Sequence, residues 1–205
     1  MWLLGRGYPP RSVITLAGDH HQLAARQRLA LTRVACSEAQ LAGRLARRLD
    51  LAALCGGEVH IDGLNLIITL EVALGGAGVV LRGPDGALRD LAGLRGSYAP
   101  IPETDAALAL VAAALGEAGV RRARWLIDAA VSRSGELRAR VLDRGGSAGL
   151  AVEAELVRDA DAALRGLPGV VSSDGVVLDR CASWVNLAAE IVARHAPGAW
   201  IVDLG

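Results

Sequence analysis

Three aspartates in this chain follow short hydrophobic runs and precede small or turn-forming residues. The runs are Val-His-Ile before Asp62, Trp-Leu-Ile before Asp128 and Val-Val-Ser-Ser before Asp174. Each pattern predicts a buried strand that delivers a carboxylate at its carboxyl end. Because ligands of open α/β sheets bind at that edge, we expect the three carboxylates to share one crevice. Clustered carboxylates repel one another unless a hard cation joins them, so the sequence predicts a Mg²⁺ or Mn²⁺ site that acts on phosphate.

Polar residues surround these aspartates at the predicted strand-to-helix turns. Such turns can present an amide, hydroxyl groups, backbone N–H groups and a guanidinium to a bound phosphate. Ordinary helix capping is the alternative explanation, since Asp, Asn and Ser are favoured at helix starts. The candidate substrate-binding residues of the turns are Asn65, Ser132, Arg133, Ser134 and Ser173.

A fourth acidic residue, Asp179, lies five positions after Asp174. The sequence predicts one long helix from Val176 to His195, which places Asp179 in its first turns, close to the same sheet edge. We therefore include Asp179 among the candidate catalytic residues. With Asp179, the residues Ser183, Asn186 and Glu190 repeat at helical spacing, a stripe that is typically solvated surface.

Charge divides the chain into a basic and an acidic part. Residues 1 to 50 hold eight arginines against three acidic residues, a net charge of +5, and the remainder holds fourteen against nineteen, a net charge of −5. A basic segment beside an acidic site suits a phosphodiester substrate, because arginine binds the backbone phosphates. The alternative is that these arginines solvate exposed helix faces. The candidates for holding the backbone are Arg26, Arg28 and Arg33.

The composition and the missing motifs exclude several classes of protein. The chain has 205 residues, of which 52% are hydrophobic, and this is enough to bury a core. The three cysteines lack zinc-site spacing, which argues against a disulfide framework or structural zinc. There is no Walker loop, dinucleotide fingerprint or Ser/His/Asp order. Without 18 consecutive apolar residues we expect no membrane span and a cytoplasmic protein.

The predicted elements fall into two regions. Residues 1 to 55 are predicted to be helical, with a helix over 22 to 35 and a second one that begins at a Ser37/Gln40 capping box and ends before Gly56-Gly57. Residues 56 to 205 alternate predicted strands with helices, which indicates an α/β domain with a mainly parallel sheet covered on both faces. The predicted strands are 58 to 61, 79 to 81, 124 to 127, 150 to 157, 170 to 171 and 200 to 202.

Two resemblances extend these observations. Asp62-Gly-Leu-Asn65 and Ser172-Ser-Asp174 resemble the metal-site motifs of PIN-like and NYN domains, although Val176 stands where those domains usually carry a second aspartate. More closely, the chain resembles the prokaryotic family called domain of unknown function 434. The segments that carry this likeness are Arg-Gln-Arg (26 to 28), Asp-Gly-Leu-Asn-Leu-Ile-Ile-Thr-Leu-Glu (62 to 71), Val-Ser-Arg-Ser-Gly (131 to 135) and Asp-Gly-Val-Val-Leu-Asp-Arg-Cys (174 to 181). The PIN/NYN resemblance implies a metal-dependent ribonuclease.

Together these features predict a hydrolase of phosphodiester bonds in RNA, in which Mg²⁺ or Mn²⁺ bound by Asp62, Asp128 and Asp174 activates a water. Two alternatives are a phosphohydrolase of small nucleotides and a non-catalytic module, binding RNA or protein, with a degenerate acidic pocket. RNA is the expected partner and a membrane is not. The sequence does not choose between a monomer and a homo-oligomer.

Overall fold

The computed structural model describes residues 1–92, 96–146 and 149–205. The N-terminal segment forms four helices, α1 (Trp2–Gly5), α2 (Pro10–His20), α3 (Ala25–Val34) and α4 (Glu38–Arg47). The predicted capping box opens α4, since the Ser37 hydroxyl accepts from the Gln40 N–H at 3.1 Å and the Gln40 side chain accepts from the Ser37 N–H at 2.9 Å.

The prediction that this last helix continues towards Gly56 was wrong. It ends at Arg47, and Arg48–Leu49 form a short strand, β1, which is followed by a 3₁₀ turn over Leu51–Leu54. The strand forms because Arg48 and Leu49 pair in parallel with a strand more than 130 residues later in the chain. The basic segment therefore contributes a strand to the sheet as well as helices.

The remaining elements alternate strands with helices as predicted, except that the strands Leu88–Asp90 and Trp184–Val185 were not predicted. After β1 the strands are β2 (Glu58–Asp62), β3 (Val79–Arg82), β4 (Leu88–Asp90), β5 (Arg122–Asp128), β6 (Ala151–Val157), β7 (Val170–Val171), β8 (Trp184–Val185) and β9 (Trp200–Asp203). The helices are α5 (Gly63–Gly75), α6 (Pro102–Glu117), α7 (Ser134–Arg144), α8 (Ala160–Leu164), α9 (Gly175–Arg180) and α10 (Leu187–His195).

Six strands form one all-parallel sheet in the order β1-β8-β7-β2-β5-β6. The strands that end in Asp62 and Asp128 are direct neighbours, and the strand that precedes Asp174 pairs on the other side of β2. The strands β4, β3 and β9 form a separate three-stranded sheet, in which β3 pairs antiparallel with β4 and parallel with β9. The predicted α/β class with a mainly parallel sheet is confirmed.

Helices cover both faces of the parallel sheet, again as predicted. On one face, the alternate residues Ala123, Trp125 and Ile127 of β5 belong to the main core, which includes side chains of α5, α6, α7 and α10. On the other face, Leu126 packs with Leu164 of α8 and with residues of α9. No helix in the described ranges has the length and apolarity needed to cross a membrane.

The long helix predicted from Val176 to His195 is broken into α9, β8 and α10, so that prediction was wrong. Trp184 and Val185 pair with Val170 and Val171 on one side and with Arg48 and Leu49 on the other. This pairing buries Trp184 completely, and its indole N–H donates to the Arg44 carbonyl at 2.8 Å. The proposed helical stripe through Asp179 and Glu190 therefore does not exist.

Candidate active site at the carboxyl edge of the parallel sheet

Asp62 lies at the deepest point of this edge. It ends β2, is 5% exposed, and its Oδ2 accepts a hydrogen bond of 2.8 Å from the Ser172 hydroxyl. Gly63 lets α5 begin directly against β5, because a Cβ there would lie 2.7 Å from Ile127 Cγ1. Burial raises the pKa of the Asp62 carboxyl to about 7; the Ser172 hydroxyl lowers it and the charge of Asp174 raises it. Asp62 is thus a buried acid beside a second acid.

Asp174 caps the short helix α9. Its Oδ1 accepts from the Val176 N–H at 2.7 Å, and its own N–H donates to the Ser172 hydroxyl oxygen at 3.0 Å. Ser172 therefore connects the strand-end carboxylate of Asp62 to the backbone of Asp174. The structure brings these two predicted site residues together.

Asp128 reaches the same region from β5. Its Oδ1 accepts from the N–H of Ala160 at 2.8 Å, at the start of α8. An acid that our sequence reasoning missed, Asp161, lies in the first turn of α8. Burial, together with the charges of Asp174, Asp159 and Asp128, raises the pKa of Asp161 to about 6. Asp161 follows a predicted strand by only a few residues, and that position was the signal that could have identified it.

Two of the candidate substrate-binding residues, Asn65 and Ser173, are hydrogen-bonded to each other. The Asn65 Oδ1 accepts from both the N–H and the hydroxyl of Ser173, at 2.8 and 2.9 Å. These bonds hold the first turn of α5 against the segment between β7 and α9. Because Asp62 and Asp174 immediately precede these two helices, the Asn65–Ser173 contact fixes their relative position.

The turn after Asp128 has a different local role from the one expected. The Ser132 hydroxyl accepts from the Tyr98 N–H at 2.8 Å and donates to the Tyr98 carbonyl at 2.9 Å. Arg133 adopts a left-handed backbone with φ of 54° at the N-cap of α7, and its guanidinium lies 3.8 Å from Glu136. Ser134 is the buried first residue of α7, so the alternative that Ser134 caps this helix was wrong. Binding of substrate by these three residues stays a prediction.

Asp179 is engaged by the N-terminal segment. Arg44 donates to it through Nε at 2.6 Å and through Nη2 at 3.1 Å, and Gln40 donates at 2.6 Å. Arg44 is 3% exposed and also contacts Asp85 at 2.9 Å. Burial lowers the pKa of the Arg44 guanidinium, but the hydrogen bonds that it donates to Asp179 and Asp85 outweigh burial and raise it. The structure thus places Asp179 in a buried ionic network between α4 and α9.

Two cavities open at this edge, beneath α3. One of about 390 Å³ is lined by Asn65, Ser173, Asp174 and Asp179, and one of about 210 Å³ is lined by Asn65, Tyr98 and Asp128. The two cavities share Arg33, Asn65 and Asp90 in their walls. Asp128, Asp174 and Asp179 therefore line a pair of adjoining cavities, whereas Asp62 is in the wall of neither.

Among the three candidate arginines, Arg33 is the one that reaches these cavities. Its Nε is buried, and no hydrogen-bond acceptor contacts that atom in the described part of the chain. Arg28 instead pairs with Asp19 at 2.7 Å and donates to the Leu23 carbonyl at 2.9 Å, and Arg26 is exposed. The basic segment thus delivers one guanidinium with an unused N–H to the acidic site.

The side chains at this edge match a hard divalent cation in the type of their donor atoms. Carboxylate and amide oxygens are the ligands that Mg²⁺ and Mn²⁺ prefer. Asp62 is buried beside Asp174, and no cationic side chain in the described ranges pairs with it. In residues 1–92, 96–146 and 149–205, however, no three acidic, His or Cys side chains are already arranged as ligands. Asp128 and Asp174 are each turned towards a backbone N–H instead.

Comparison with known proteins places the site within a family. A model described as "Domain of unknown function (DUF5616)" matches residues 51–190. This range includes the acids Asp62, Asp128, Asp161, Asp174 and Asp179. The chain belongs to the DUF5616 family. A second model, "Protein of unknown function (DUF434)", matches residues 1–47, so the predicted DUF434 resemblance is confirmed for that segment. The resemblance to PIN-like and NYN domains stays a prediction.

One curated relative is similar along almost its whole length. It is "Uncharacterized protein MJ0935" of Methanocaldococcus jannaschii, 26% identical over 193 residues, which cover 93% of this chain and 92% of the relative. No solved structure matches the chain significantly. The DUF434 and DUF5616 regions thus occur here in one chain, and Arg33 and Arg44 of the first contribute to the cavity walls of the second.

Proposed function

We propose that this protein hydrolyses phosphodiester bonds in RNA with the help of a divalent cation. The observation that carries the proposal is Asp62, a buried carboxyl beside Asp174 that lacks a cationic partner among the described residues. One cavity is lined by Asp174 and the other by Asp128, and both have Asn65 and Arg33 in their walls. An acidic centre next to an unpaired guanidinium suits a phosphate that must contact both a metal ion and a positive side chain.

The chain's own residues would divide the work in a defined way. Asp62, Asp128 and Asp174 would hold Mg²⁺ or Mn²⁺, which when bound would polarise the phosphate and lower the pKa of a coordinated water. Arg33 would donate to a phosphate oxygen across the cavity. Asp161, whose pKa burial raises to about 6, is suited to hold or release a proton near neutral pH.

The proposal is tested by cleavage of a short, end-labelled single-stranded RNA in Mg²⁺ or Mn²⁺, with the thermal stability of the protein followed in parallel. We expect metal to raise the melting temperature of the parent protein, because it binds the folded state. Asp174→Asn removes one charge with little change in shape, so it should abolish both cleavage and the thermal response to metal.

Asp143→Asn is the matched control, because Asp143 is a well-exposed residue of α7 that lines neither cavity. This variant should behave like the parent protein. Cleavage by Asp174→Asn at the parental rate would contradict the proposal. If Asp174→Asn unfolds the protein, the carboxylate serves as a helix cap and its assignment as a metal ligand is wrong.

The limited volume of the larger cavity favours a second candidate, a phosphohydrolase of small nucleotides. Its volume of about 390 Å³ and the helix α3 above it would accommodate a nucleotide more readily than a folded polymer. Release of phosphate from nucleoside triphosphates or dinucleotides, without cleavage of RNA, would favour this candidate.

A further inference from the structure

The N-terminal segment exposes aromatic rings that the proposed hydrolysis does not use. The chain has four tryptophans, two tyrosines and no phenylalanine, so each exposed ring is a substantial part of its aromatic content. Trp2 is 65% exposed and Tyr8 is 55% exposed, whereas Tyr98, Trp125 and Trp184 are buried. The Arg6 guanidinium lies 5.2 Å from the centroid of the Trp2 ring, a cation–π arrangement that leaves most of the indole accessible.

The same segment carries positive charge that is not neutralised locally. In the described structure, Arg6, Arg11, Arg26 and Arg33 have no carboxylate within ion-pair distance, whereas Arg28 pairs with Asp19, one of the three acids of this segment. In the acidic body, by contrast, several arginines at the surface pair with carboxylates. Examples are Arg122 and Arg124, which contact Glu58 and Glu153, and Arg140, which contacts Asp105. The N-terminal surface therefore favours a polyanion.

The segment that carries the rings leads along the chain to the wall of the larger cavity. Pro10, two residues after Tyr8, lines that cavity together with Leu29 and Arg33. The Tyr8 N–H donates to the Leu3 carbonyl at 3.2 Å, which folds the Tyr8 backbone back onto α1. Helix α1 in turn packs on α4 near Ser37, and Gln40 of α4 is another residue of the cavity wall. The segment with the exposed rings and unpaired arginines is thus linked to the cavity wall through Pro10 and through the packing of α1 on α4.

We propose that Trp2, Arg6, Tyr8 and Arg11 form a stacking platform for the unpaired bases of single-stranded RNA, which leads the strand into the cavity. Trp2 and Tyr8 would stack on bases, and Arg6 and Arg11 would bind the neighbouring phosphates. Exposed aromatic rings among arginines are suited to this ligand, because every base has a flat face and every linkage has a negative charge. The choice of RNA as the ligand rests on the proposed function. What is new is that the bound strand is unpaired.

Other occupants of such a surface are an anionic membrane and a protein partner. A membrane and a protein could each contact exposed tryptophan and arginine. Neither explains why the same segment, through Pro10, contributes to a cavity lined by Arg33 and Asp174. Single-stranded RNA accounts for both features.

The test is fluorescence anisotropy with a labelled single-stranded oligouridylate in EDTA, so that binding is measured without metal-dependent cleavage. Trp2→Leu/Tyr8→Leu keeps apolar side chains but removes the rings, and should weaken binding by about fivefold or more for each ring. Trp2→Phe/Tyr8→Phe keeps the rings and should bind within about twofold of the parent. Trp200→Leu is the matched control, because Trp200 is 61% exposed on β9, outside this segment.

Two further probes separate base stacking from charge. The parent and the leucine variant should bind an abasic strand with the same phosphates equally tightly. Their affinities for an RNA duplex should also differ little. The proposal is overturned if the leucine variant binds the oligouridylate as tightly as the parent, or if Trp200→Leu weakens binding equally. It is also overturned if the leucine variant loses only binding to phosphatidylglycerol vesicles. Asp174→Asn should retain binding in EDTA, so failure of the platform and failure of the hydrolase give different results.

Discussion

Asp62 illustrates how much of the site depends on one buried carboxyl. Its ordinary pKa is 3.8, and burial next to Asp174 raises the pKa to about 7 in the folded protein. Between these two values the folded chain keeps a proton on Asp62 that the unfolded chain has released. The contribution of Asp62 to the free energy of unfolding is therefore greatest at low pH. It is lost progressively as the pH rises towards about 7.

Asp62→Asn should remove this pH dependence while it retains a side-chain acceptor for Ser172. We expect the variant to gain stability relative to the parent as pH rises from about 4 to about 7, by at most roughly 4 kcal/mol. Urea unfolding in EDTA at a series of pH values measures the difference. Added Mg²⁺ should stabilise the parent and not the variant. Parallel stability curves for the two proteins would show that Asp62 is ionised in the folded state.

At the scale of elements, α4 and α9 are joined by the buried Arg44. Its guanidinium contacts Asp85 and Asp179, and a Cβ on Gly175 would lie 2.9 Å from Arg44 Nη2. Gly175 therefore allows α9 to begin directly against Arg44. Because Asp174 immediately precedes that glycine, the N-terminal segment fixes the position of one predicted metal ligand.

Arg44→Met should destabilise the fold, because it leaves the buried carboxylate of Asp85 and the partly buried carboxylate of Asp179 with fewer positive partners. Loss of one member of a buried ion pair typically costs about 3 to 5 kcal/mol, and Arg89, which still contacts Asp85, should hold the loss near the lower value. Arg82→Met is the control, since its pair with Asp203 is exposed and should contribute about 1 kcal/mol or less. Equal unfolding midpoints for the two variants would contradict this account.

Over the whole molecule, the two family regions form one structure rather than two separate bodies. The DUF434 match ends at residue 47 and the DUF5616 match begins at residue 51, yet β1 (Arg48–Leu49), which lies between them, pairs with β8 of the parallel sheet. The basic segment consequently lies next to the acidic edge of the sheet, so the two oppositely charged parts of the sequence are neighbours in the fold.

RNA binding should weaken with salt, because each phosphate bound by arginine releases counterions. Arg33→Gln should reduce the slope of log affinity against log salt by about 0.7, the value for one contact to a single strand. Arg28→Gln should change the slope less, because Asp19 already pairs with Arg28. Affinities in EDTA over a range of salt concentrations test this, and a larger effect of Arg28→Gln would exclude Arg33 as the principal phosphate contact.

The sequence by itself determined the features that depend on local pattern. Hydrophobic runs that end at Asp62, Asp128 and before Asp174 were sufficient to predict three parallel strands, since side-chain burial in a strand is visible in a few consecutive residues. The Ser37/Gln40 capping box was predictable for the same reason, because its donors and acceptors lie three residues apart.

Only the tertiary structure decided the features that depend on distant partners. Trp184 and Val185 form a strand inside a helical pattern because β1 and β7 offer them backbone partners. Asp179 pairs with Arg44 across 135 positions of sequence, and Asp161 comes near Asp128 and Asp174 through the packing of α8. Local periodicity reports which residues are buried. It does not report against which element they are buried, and that choice determines which acids and arginines meet at the site.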